Sequence, residues 1–264
     1  MGRTIACANQ KGGVGKTTTV VNLASYLALG GVRTLVVDLD PQGNATSGFG
    51  IDRMSVHGSI YDAILGDESV DGMIVTERSA GVDLIPAAIA LAGAEVELAV
   101  VEAREHRLQR LLVPLAARYD IIFIDCPPSL GLLTVNALTS ADAVLVPLQC
   151  EYYALEGSTQ LLATIDLVRD HLNPALALDG VVLTMFDART NLSADVEAEA
   201  RGHLGSAVYT TVIPRSVRLS EAPSHGRPIA SYAPGSRGAV AYAALAREFA
   251  ARNRLHLSVP EAVA

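Results

Sequence analysis

Ala8-Asn9-Gln10-Lys11-Gly12-Gly13-Val14-Gly15-Lys16-Thr17-Thr18-Thr19 is the stretch that decides the fold of this chain. An apolar segment at residues 5–8 precedes it, and helical spacing of apolar side chains follows it over Lys16–Leu29. Small residues let backbone N–H groups converge on phosphate oxygens, and a helix N-terminus adds its dipole at the same point. The stretch therefore predicts a phosphate-binding loop between a strand and a helix.

The loop departs from the common spacing G-x-x-x-x-G-K-[ST], because Gln10 stands where that pattern has its first glycine. We expect Lys16 to reach the β- and γ-phosphates and the Thr17 hydroxyl to ligate Mg²⁺. A glycine-rich turn without a ligand is disfavoured by the order of strand, loop and helix. The predicted nucleotide contacts within the loop are Gly12, Gly13, Val14, Gly15, Lys16, Thr17 and Thr18.

Aspartates end two other apolar segments. Asp125 follows residues 121–124, where enzymes with such loops place the carboxylate that holds Mg²⁺. Asp38 and Asp40 flank Leu39 after residues 34–37, so in an extended segment their side chains share a face. One of these two carboxylates is expected to support the metal ion and the other to support the water that attacks the phosphate. The predicted metal ligands are Thr17, Asp38 and Asp125.

Strands and helices alternate along the chain. Strands are predicted at 5–8, 34–37, 82–85, 121–124, 143–147, 178–185 and 207–213. Helices are predicted at 16–29, 59–65, 155–171, 194–204 and 239–254, with helical signal over 88–118 and a loop at 40–50. Apolar strands without polar alternation indicate a mostly parallel sheet covered by helices on both faces. We predict one doubly wound α/β domain over residues 1–264.

Composition narrows the class of protein. Half of the 264 residues are hydrophobic, which argues against disorder, and no apolar run reaches the roughly 18–20 residues of a membrane span. The N-terminus carries no signal-peptide pattern, so we expect a cytoplasmic protein. Three cysteines without a CxxC pair predict buried thiols. Only two of the twenty basic residues are lysines, and both lie in the glycine loop.

Three segments together carry a specific resemblance: Lys-Gly-Gly-Val-Gly-Lys-Thr-Thr (11–18), Val-Asp-Leu-Asp-Pro-Gln-Gly-Asn (37–44) and Ile-Asp-Cys-Pro-Pro-Ser (124–129). They resemble the deviant-Walker P-loop NTPases, and most of all the ParA/Soj partition ATPases. The likeness extends through residues 185–192 and 212–229. The chain resembles the short chromosomal type, without the N-terminal helix-turn-helix extension of longer plasmid homologues.

The resemblance implies roles for particular residues. Lys11 is then the signature lysine, which reaches the nucleotide of the other subunit in an ATP-sandwich homodimer. Asp40 positions or activates the hydrolytic water, so the implied catalytic residues are Lys11, Lys16 and Asp40. Pro214 and Arg215 line the adenine pocket. The implied cofactors are ATP and Mg²⁺.

Partners follow from the same resemblance. It implies non-specific duplex DNA, through Arg189, Arg215 and Arg218, and a ParB/Spo0J-type centromere-binding protein that stimulates hydrolysis. The net charge of −8 opposes DNA binding, but residues 213–254 carry seven arginines against two glutamates. The alternative for these arginines is a solvated face paired with carboxylates. We expect a nucleoid-associated protein that binds no membrane.

Three other functions remain open. A MinD-like membrane-cycling ATPase needs a basic amphipathic C-terminal helix, whereas residues 255–264 contain Pro260, Glu261 and neither Lys nor Arg. An iron–sulfur reductase of the nitrogenase iron-protein type needs two cluster cysteines per subunit. A purely structural nucleotide-binding module predicts binding without turnover.

Overall fold

A computed structural model describes residues 2–66, 68–151 and 154–258, together with the side chains in those ranges except those of 154–159. The part of the predicted non-basic tail beyond residue 258 lies outside the described residues. The described part of the chain contains no helix with the length and apolar character needed to cross a membrane.

Seven strands form one sheet in the described residues. Their bounds are β1 Arg3–Cys7, β2 Thr34–Asp38, β3 Val75–Thr76, β4 Asp83–Ile85, β5 Ile121–Asp125, β6 Ala143–Gln149 and β7 Ala177–Thr184. Their order in the sheet is β3-β4-β2-β5-β1-β6-β7. All neighbours are parallel except β3 and β4. Every residue of β2, β5 and β6 is buried, as expected for strands covered on both faces. Parallel register places Asp38 and Cys7 on either side of Asp125.

Eleven α-helices occur in the described part of the chain. Their bounds are α1 Lys16–Leu29, α2 Asn44–Gly48, α3 Ile60–Gly66, α4 Leu91–Leu98, α5 Arg107–Leu112, α6 Leu132–Ser140, α7 Ala154–His171, α8 Asn191–Leu204, α9 Val217–Glu221, α10 Ile229–Tyr232 and α11 Arg237–Arg252. Short 3₁₀ helices cover Val70–Met73, Arg104–His106, Val113–Ala117, Gly205–Ala207 and Ala222–His225.

The helices divide into two layers with separate apolar cores. Helices α3 to α8 pack on one face of the sheet. Helices α1, α2 and α9 to α11 pack on the other, where Phe249 of α11 lies against Phe123 of β5 with ring centroids 5.5 Å apart. The predicted doubly wound α/β fold is confirmed.

Two predicted elements were wrong. The predicted loop at 40–50 contains α2, whose Thr46 donates its N–H and hydroxyl to the buried Asp38 carboxylate and so ties the helix to the sheet. The predicted strand at 207–213 is irregular chain. Tyr209 and Ile213 donate to carbonyls of β7, but the N–H groups of Thr210 and Thr211 turn away to the Glu248 carboxylate. The ladder is therefore interrupted.

Two other segments were incompletely predicted. The helical signal over 88–118 is divided into α4, α5 and two 3₁₀ helices. Ala103, at φ 49°, precedes the first 3₁₀ helix, and Pro114 lies in the second one, directly after α5. Helix α6 was not predicted, because buried polar residues weaken the apolar pattern expected of a helix. Thr134 and Asn136 are buried in it, and their side chains donate to backbone carbonyls.

Phe249→Ala tests the α11 layer. Both rings of the Phe123–Phe249 pair are fully buried, so truncation leaves a cavity and should lower the free energy of unfolding by about 3–5 kcal/mol. Urea unfolding followed by circular dichroism measures the change. Val240→Ala on the same helix is the control, because Val240 is 59% exposed and its loss should alter stability by about 0.5 kcal/mol or less. Equal effects at the two positions would contradict the packing.

Candidate functional site

The glycine loop presents an open helix end. Gly13 and Gly15 have φ values of 74° and 92°, which non-glycine residues rarely adopt, so the turn requires glycine at both positions. Gly15 is the N-cap of α1, and no side chain accepts from the first N–H groups of the helix. These uncapped groups and the helix dipole make the end of α1 a site for an anion.

Side chains from neighbouring strands hold the loop in shape. Asn9 donates to the Pro147 carbonyl at 2.8 Å and accepts from the Lys11 N–H at 3.0 Å. Thr184, at the end of β7, donates to the Val14 carbonyl at 2.8 Å. Neither Asn9 nor Thr184 was singled out from the sequence, since a single polar residue at a strand end has no distinctive pattern.

The two lysines of the loop differ in environment. Lys16 is buried, and its ammonium donates to the Lys11 carbonyl at 3.3 Å, which keeps the side chain folded over the loop. Lys11 is exposed, and its ammonium makes no ion pair or hydrogen bond within the described residues. The ammonium of Lys16 therefore points into the loop, whereas that of Lys11 is free to meet a group from outside this chain.

Asp125 has an unusual environment for a carboxylate. It is fully buried, and neither oxygen accepts a hydrogen bond of ordinary geometry from the described residues. Burial raises the pKa of Asp125 well above its usual range, and the nearby Asp38 carboxylate raises it further, whereas the Thr17 hydroxyl and the Lys16 ammonium act in the opposite direction. Two unused oxygens beside a threonine hydroxyl fit a hard cation such as Mg²⁺.

Asp38 and Asp40 are both buried but are held differently. Asp38 accepts from the Thr46 N–H at 2.7 Å and from its hydroxyl at 2.6 Å, and burial raises the pKa of Asp38 to about 6. Asp40 accepts from the Gln42 N–H at 2.9 Å. The expected metal ligands are therefore not equally available. Both oxygens of Asp38 already accept hydrogen bonds, one from Thr46 and the other from the Asp40 N–H at 3.3 Å, whereas both oxygens of Asp125 are unused. Among the described residues, no three His, Cys, Asp or Glu side chains lie close enough together to hold a metal ion by themselves.

A cavity of about 530 Å³ opens beside the loop. Gly15 and Thr18 form one end, and Pro214 and Arg215 form the wall predicted for a base. Tyr242 of α11 also lines the cavity and shares a hydrogen bond with the Thr19 hydroxyl at 3.2 Å. The sequence did not single out Tyr242, since it lies on the core face of a helix like any other aromatic residue.

All three arginines predicted to bind DNA are exposed, but each is paired with a carboxylate. Their partners are Asp187 for Arg189 at 2.7 Å, Glu151 for Arg215 at 2.8 Å and Glu221 for Arg218 at 2.8 Å. The Arg189 guanidinium makes two bonds to Asp187 and holds the pKa of that carboxyl well below its usual range. Surface pairs of this kind are worth about 0–1 kcal/mol, so a phosphate can displace the carboxylate.

The environment of the three cysteines does not favour a reactive thiolate. Cys7, Cys126 and Cys150 are all free and buried, as predicted. Burial raises the pKa of the Cys150 thiol to about 12 and that of Cys126 further. Buried neutral thiols are poor metal ligands, which disfavours the iron–sulfur alternative.

A nucleotide-phosphate cradle at the carboxyl edge of a doubly wound parallel sheet, beside a buried aspartate, defines a P-loop NTPase. The chain matches the AAA domain family over residues 2–178. It is 57% identical to the sporulation initiation inhibitor protein Soj of Bacillus subtilis over 95% of this chain and 99% of that protein. It is 53% identical to the chromosome partitioning protein ParA of Myxococcus xanthus over 96% of this chain and 89% of that protein.

Among solved structures, the chain is similar to one named cobyrinic acid a,c-diamide synthase from Mycobacterium smegmatis, determined with bound ADP and magnesium. The TM-score is 0.83 at 39% identity, covering 98% of this chain and 99% of that one. The chain belongs to the ParA/Soj family of chromosome-partitioning ATPases, which confirms the resemblance found in the sequence.

Asp125→Asn tests the buried carboxylate. The raised pKa means that the folded state holds a proton that the unfolded state has released, so this contribution to stability is present below pH ~4 and is lost as the pH rises through the folded pKa. Asparagine cannot ionise, so the ligand-free variant should exceed wild type in stability at pH 8 by on the order of 1 kcal/mol. Thermal unfolding between pH 5 and 8 measures the difference.

The same variant should gain less thermal stability from ADP and Mg²⁺ than wild type does. Asp195→Asn, an exposed position on α8, is the matched control and should follow wild type in both measurements. A pH profile of Asp125→Asn that runs parallel to wild type would show that the carboxylate carries no unfavourable charge in the fold.

Proposed function

We propose that this chain is one ATPase unit in which ATP binding drives formation of a sandwich dimer, the dimer binds duplex DNA without sequence preference, and hydrolysis releases it. The observation that carries the proposal is the pair of unused Asp125 oxygens beside the uncapped N-terminus of α1. A buried carboxylate without donors is costly unless a cation joins it, and an uncapped helix end favours the phosphates that such a cation accompanies.

The proposed roles follow from this geometry. The loop N–H groups and the Lys16 ammonium bind the phosphates, and Thr17 with Asp125 holds Mg²⁺, which neutralises phosphate charge when bound. Pro214 and Arg215 form the wall of the base pocket. Asp40 orients the attacking water and takes its proton, while Asp38 keeps α2 in place through Thr46.

The position of the Lys11 ammonium supports the proposed dimer. Its ammonium is exposed and unpaired within the described residues, although it lies on a loop shaped for phosphates. A cation in this position is suited to the phosphates of a nucleotide bound to a second copy of the chain. Two loops facing each other would then enclose two nucleotides, each touched by lysines from both subunits.

Lys11→Ala and Asp40→Ala separate assembly from hydrolysis. Lys11→Ala should bind ATP but remain monomeric, because the cross-subunit cation is missing. Asp40→Ala should dimerise with ATP and stay dimeric, with turnover lowered about 10²–10⁴-fold since the water is no longer oriented. Sedimentation with and without ATP, together with phosphate release, measures both effects.

Lys16→Ala is the control for this pair and should lose ATP binding itself, because its ammonium lies inside the loop. A normal ATP-dependent dimer in Lys11→Ala would remove the cross-subunit role. Wild-type turnover in Asp40→Ala would move the role in hydrolysis to Asp38. ATP binding without any turnover in wild type would favour the structural nucleotide-binding module.

DNA binding is proposed from the distribution of charge. Residues 213–254 carry seven arginines and two glutamates in a chain whose net charge is −8. Contact between Phe186 and Pro214 brings the segment of Arg189 beside that of Arg215, so arginines from distant parts of the sequence share one surface. A dimer doubles these cations, and contacts to phosphates carry no base preference.

Arg189→Glu and Arg218→Glu should abolish DNA binding and leave the ATP-dependent dimer intact. For wild type, about four to six phosphate contacts predict a log–log salt slope near −4 to −5. Arg33→Glu is a matched control, because Arg33 and Arg218 are each 60% exposed and each paired with one carboxylate, but Arg33 precedes β2 at the opposite edge of the sheet. Arg33→Glu should bind DNA as wild type does. Equal binding by all three variants, or no binding at low salt, would contradict the proposal.

A ParB/Spo0J-type centromere-binding protein stimulates hydrolysis, and the protein is cytoplasmic and associated with the nucleoid. The alternative is a MinD-like membrane-cycling ATPase. Flotation of the ATP-bound protein with anionic vesicles distinguishes the two, since only the alternative predicts co-migration with lipid.

A further inference from the structure

The side chain of Arg53 lies across the turn of chain that contains Asp40. This turn, residues 40–43, is called the Asp40 turn below. The Arg53 Nη1 donates to the Gln42 carbonyl at 2.7 Å. The same side chain packs against Gly43, because a β-carbon placed there would lie 2.6 Å from the Arg53 Cδ and 2.7 Å from its Nη1. Arg53 follows α2 in the chain and nevertheless covers the turn that precedes α2.

The other hydrogen bonds of the Asp40 turn are local. The Asp40 carboxylate accepts from the Gln42 N–H at 2.9 Å, and the Asp40 carbonyl accepts from the Gly43 N–H at 2.8 Å. Within the described part of the chain, Arg53 is the only residue outside 38–47 that hydrogen-bonds to the turn. Without Arg53, the turn would keep its local bonds alone.

Gly43 is required at its position for two reasons. Its φ of 62° lies in the left-handed region, which favours glycine, and it is the N-cap of α2. In addition, any side chain at this position would occupy the space of Arg53 and move it away from the Gln42 carbonyl. The contact between Arg53 and the turn therefore depends on a residue without a side chain.

Arg53 is presented by a second turn. The Met54 N–H donates to the Asp52 carboxylate at 2.9 Å, and the Ser55 N–H donates to the Asp52 carbonyl at 3.0 Å. Among the described residues, no carboxylate pairs with the Arg53 guanidinium, which is exposed. Arg53 thus differs from the paired surface arginines described above, because its hydrogen bond joins two backbone turns.

We propose that Arg53 is a positioning residue for ATP hydrolysis. The Gln42 N–H directs the Asp40 carboxylate, and Arg53 holds the carbonyl of that same Gln42. The arginine therefore fixes the residue that aims Asp40 and acts through it, without touching the nucleotide. This role rests on the function proposed above for Asp40. Small displacements of a group that orients a reactant lower the rate of the chemical step and leave binding of the substrate unchanged.

Arg53→Met and Arg53→Lys test the hydrogen bond. Methionine keeps an unbranched stem against Gly43 but has no N–H donor, whereas lysine keeps both a donor and the charge. Phosphate release without DNA measures kcat and KM for ATP. Arg53→Met should lower kcat about three- to tenfold, the rate equivalent of one hydrogen bond, with KM unchanged. Arg53→Lys should recover most of the loss. Arg78→Met is the control, because Arg78 is also exposed, and should retain wild-type turnover.

A double variant tests whether Arg53 acts through Asp40. In single-turnover assays with radiolabelled ATP, Arg53→Met should cause no further loss when Asp40 is already alanine, because two residues that act as one unit are not additive. Hydrogen exchange in the nucleotide-free protein gives a readout that is independent of activity. The Gln42 and Gly43 amides should exchange faster in Arg53→Met than in wild type and Arg78→Met.

Unchanged turnover in Arg53→Met, an additive loss in the double variant, or equal exchange of the two amides would overturn the role of Arg53. Loss of the ATP-dependent dimer in Arg53→Met, measured by sedimentation, would overturn it as well, since Arg53 would then act in assembly. Wild-type turnover in Asp40→Ala would reject the proposed role of Asp40 and that of Arg53 with it. Slow turnover in Asp40→Ala beside wild-type turnover in Arg53→Met would reject the role of Arg53 alone.

Discussion

Two carboxylates buried side by side are the constraint on which the rest of the site depends. Asp38 and Asp125 end neighbouring parallel strands in direct register, and both are fully buried. Burial raises the pKa of both carboxyls, and the Asp38 carboxylate raises that of Asp125 further, so two negative charges at this point are unfavourable for the fold. A cation at this point relieves it. Binding of the cation and its phosphates then adds to the stability of the folded state by mass action.

The rest of the architecture keeps this arrangement in place. Asn9 ties the start of the loop to a carbonyl of β6, and Thr184 of β7 donates to a carbonyl within the loop. Thr46 of α2 holds Asp38. These contacts come from strands on both sides of β1 and from α2, so the site depends on the central strands of the sheet and on one helix layer. A loop with three glycines has little rigidity of its own, and its shape is supplied by those side chains.

The sequence predicted what short-range patterns control. Glycine at positions 13 and 15, the apolar strands and the strand-end aspartates each have a direct physical reading, and the structure confirms the fold that they indicate. It did not predict contacts between distant segments. Glu248 on α11 takes the N–H groups of Thr210 and Thr211, and no local pattern at 207–213 reveals that the predicted strand loses its hydrogen bonds to a carboxylate 37 residues away. The partners of the surface arginines were equally hidden, because an ion pair depends on where two loops meet.

The charges of the chain are separated as well as unequal. Residues 54–103 contain nine acidic residues and one arginine, and residues 213–254 contain seven arginines and two glutamates. The acidic segment follows β2, and the arginine-rich segment follows β7 and contains α9 to α11. Each charged segment contacts the site by its own route, the first through Ala87 and Thr46 and the second through Pro214 and Arg215. The net charge of −8 is therefore a sum over two segments of opposite sign, and each of them has residues that line or hold the nucleotide site.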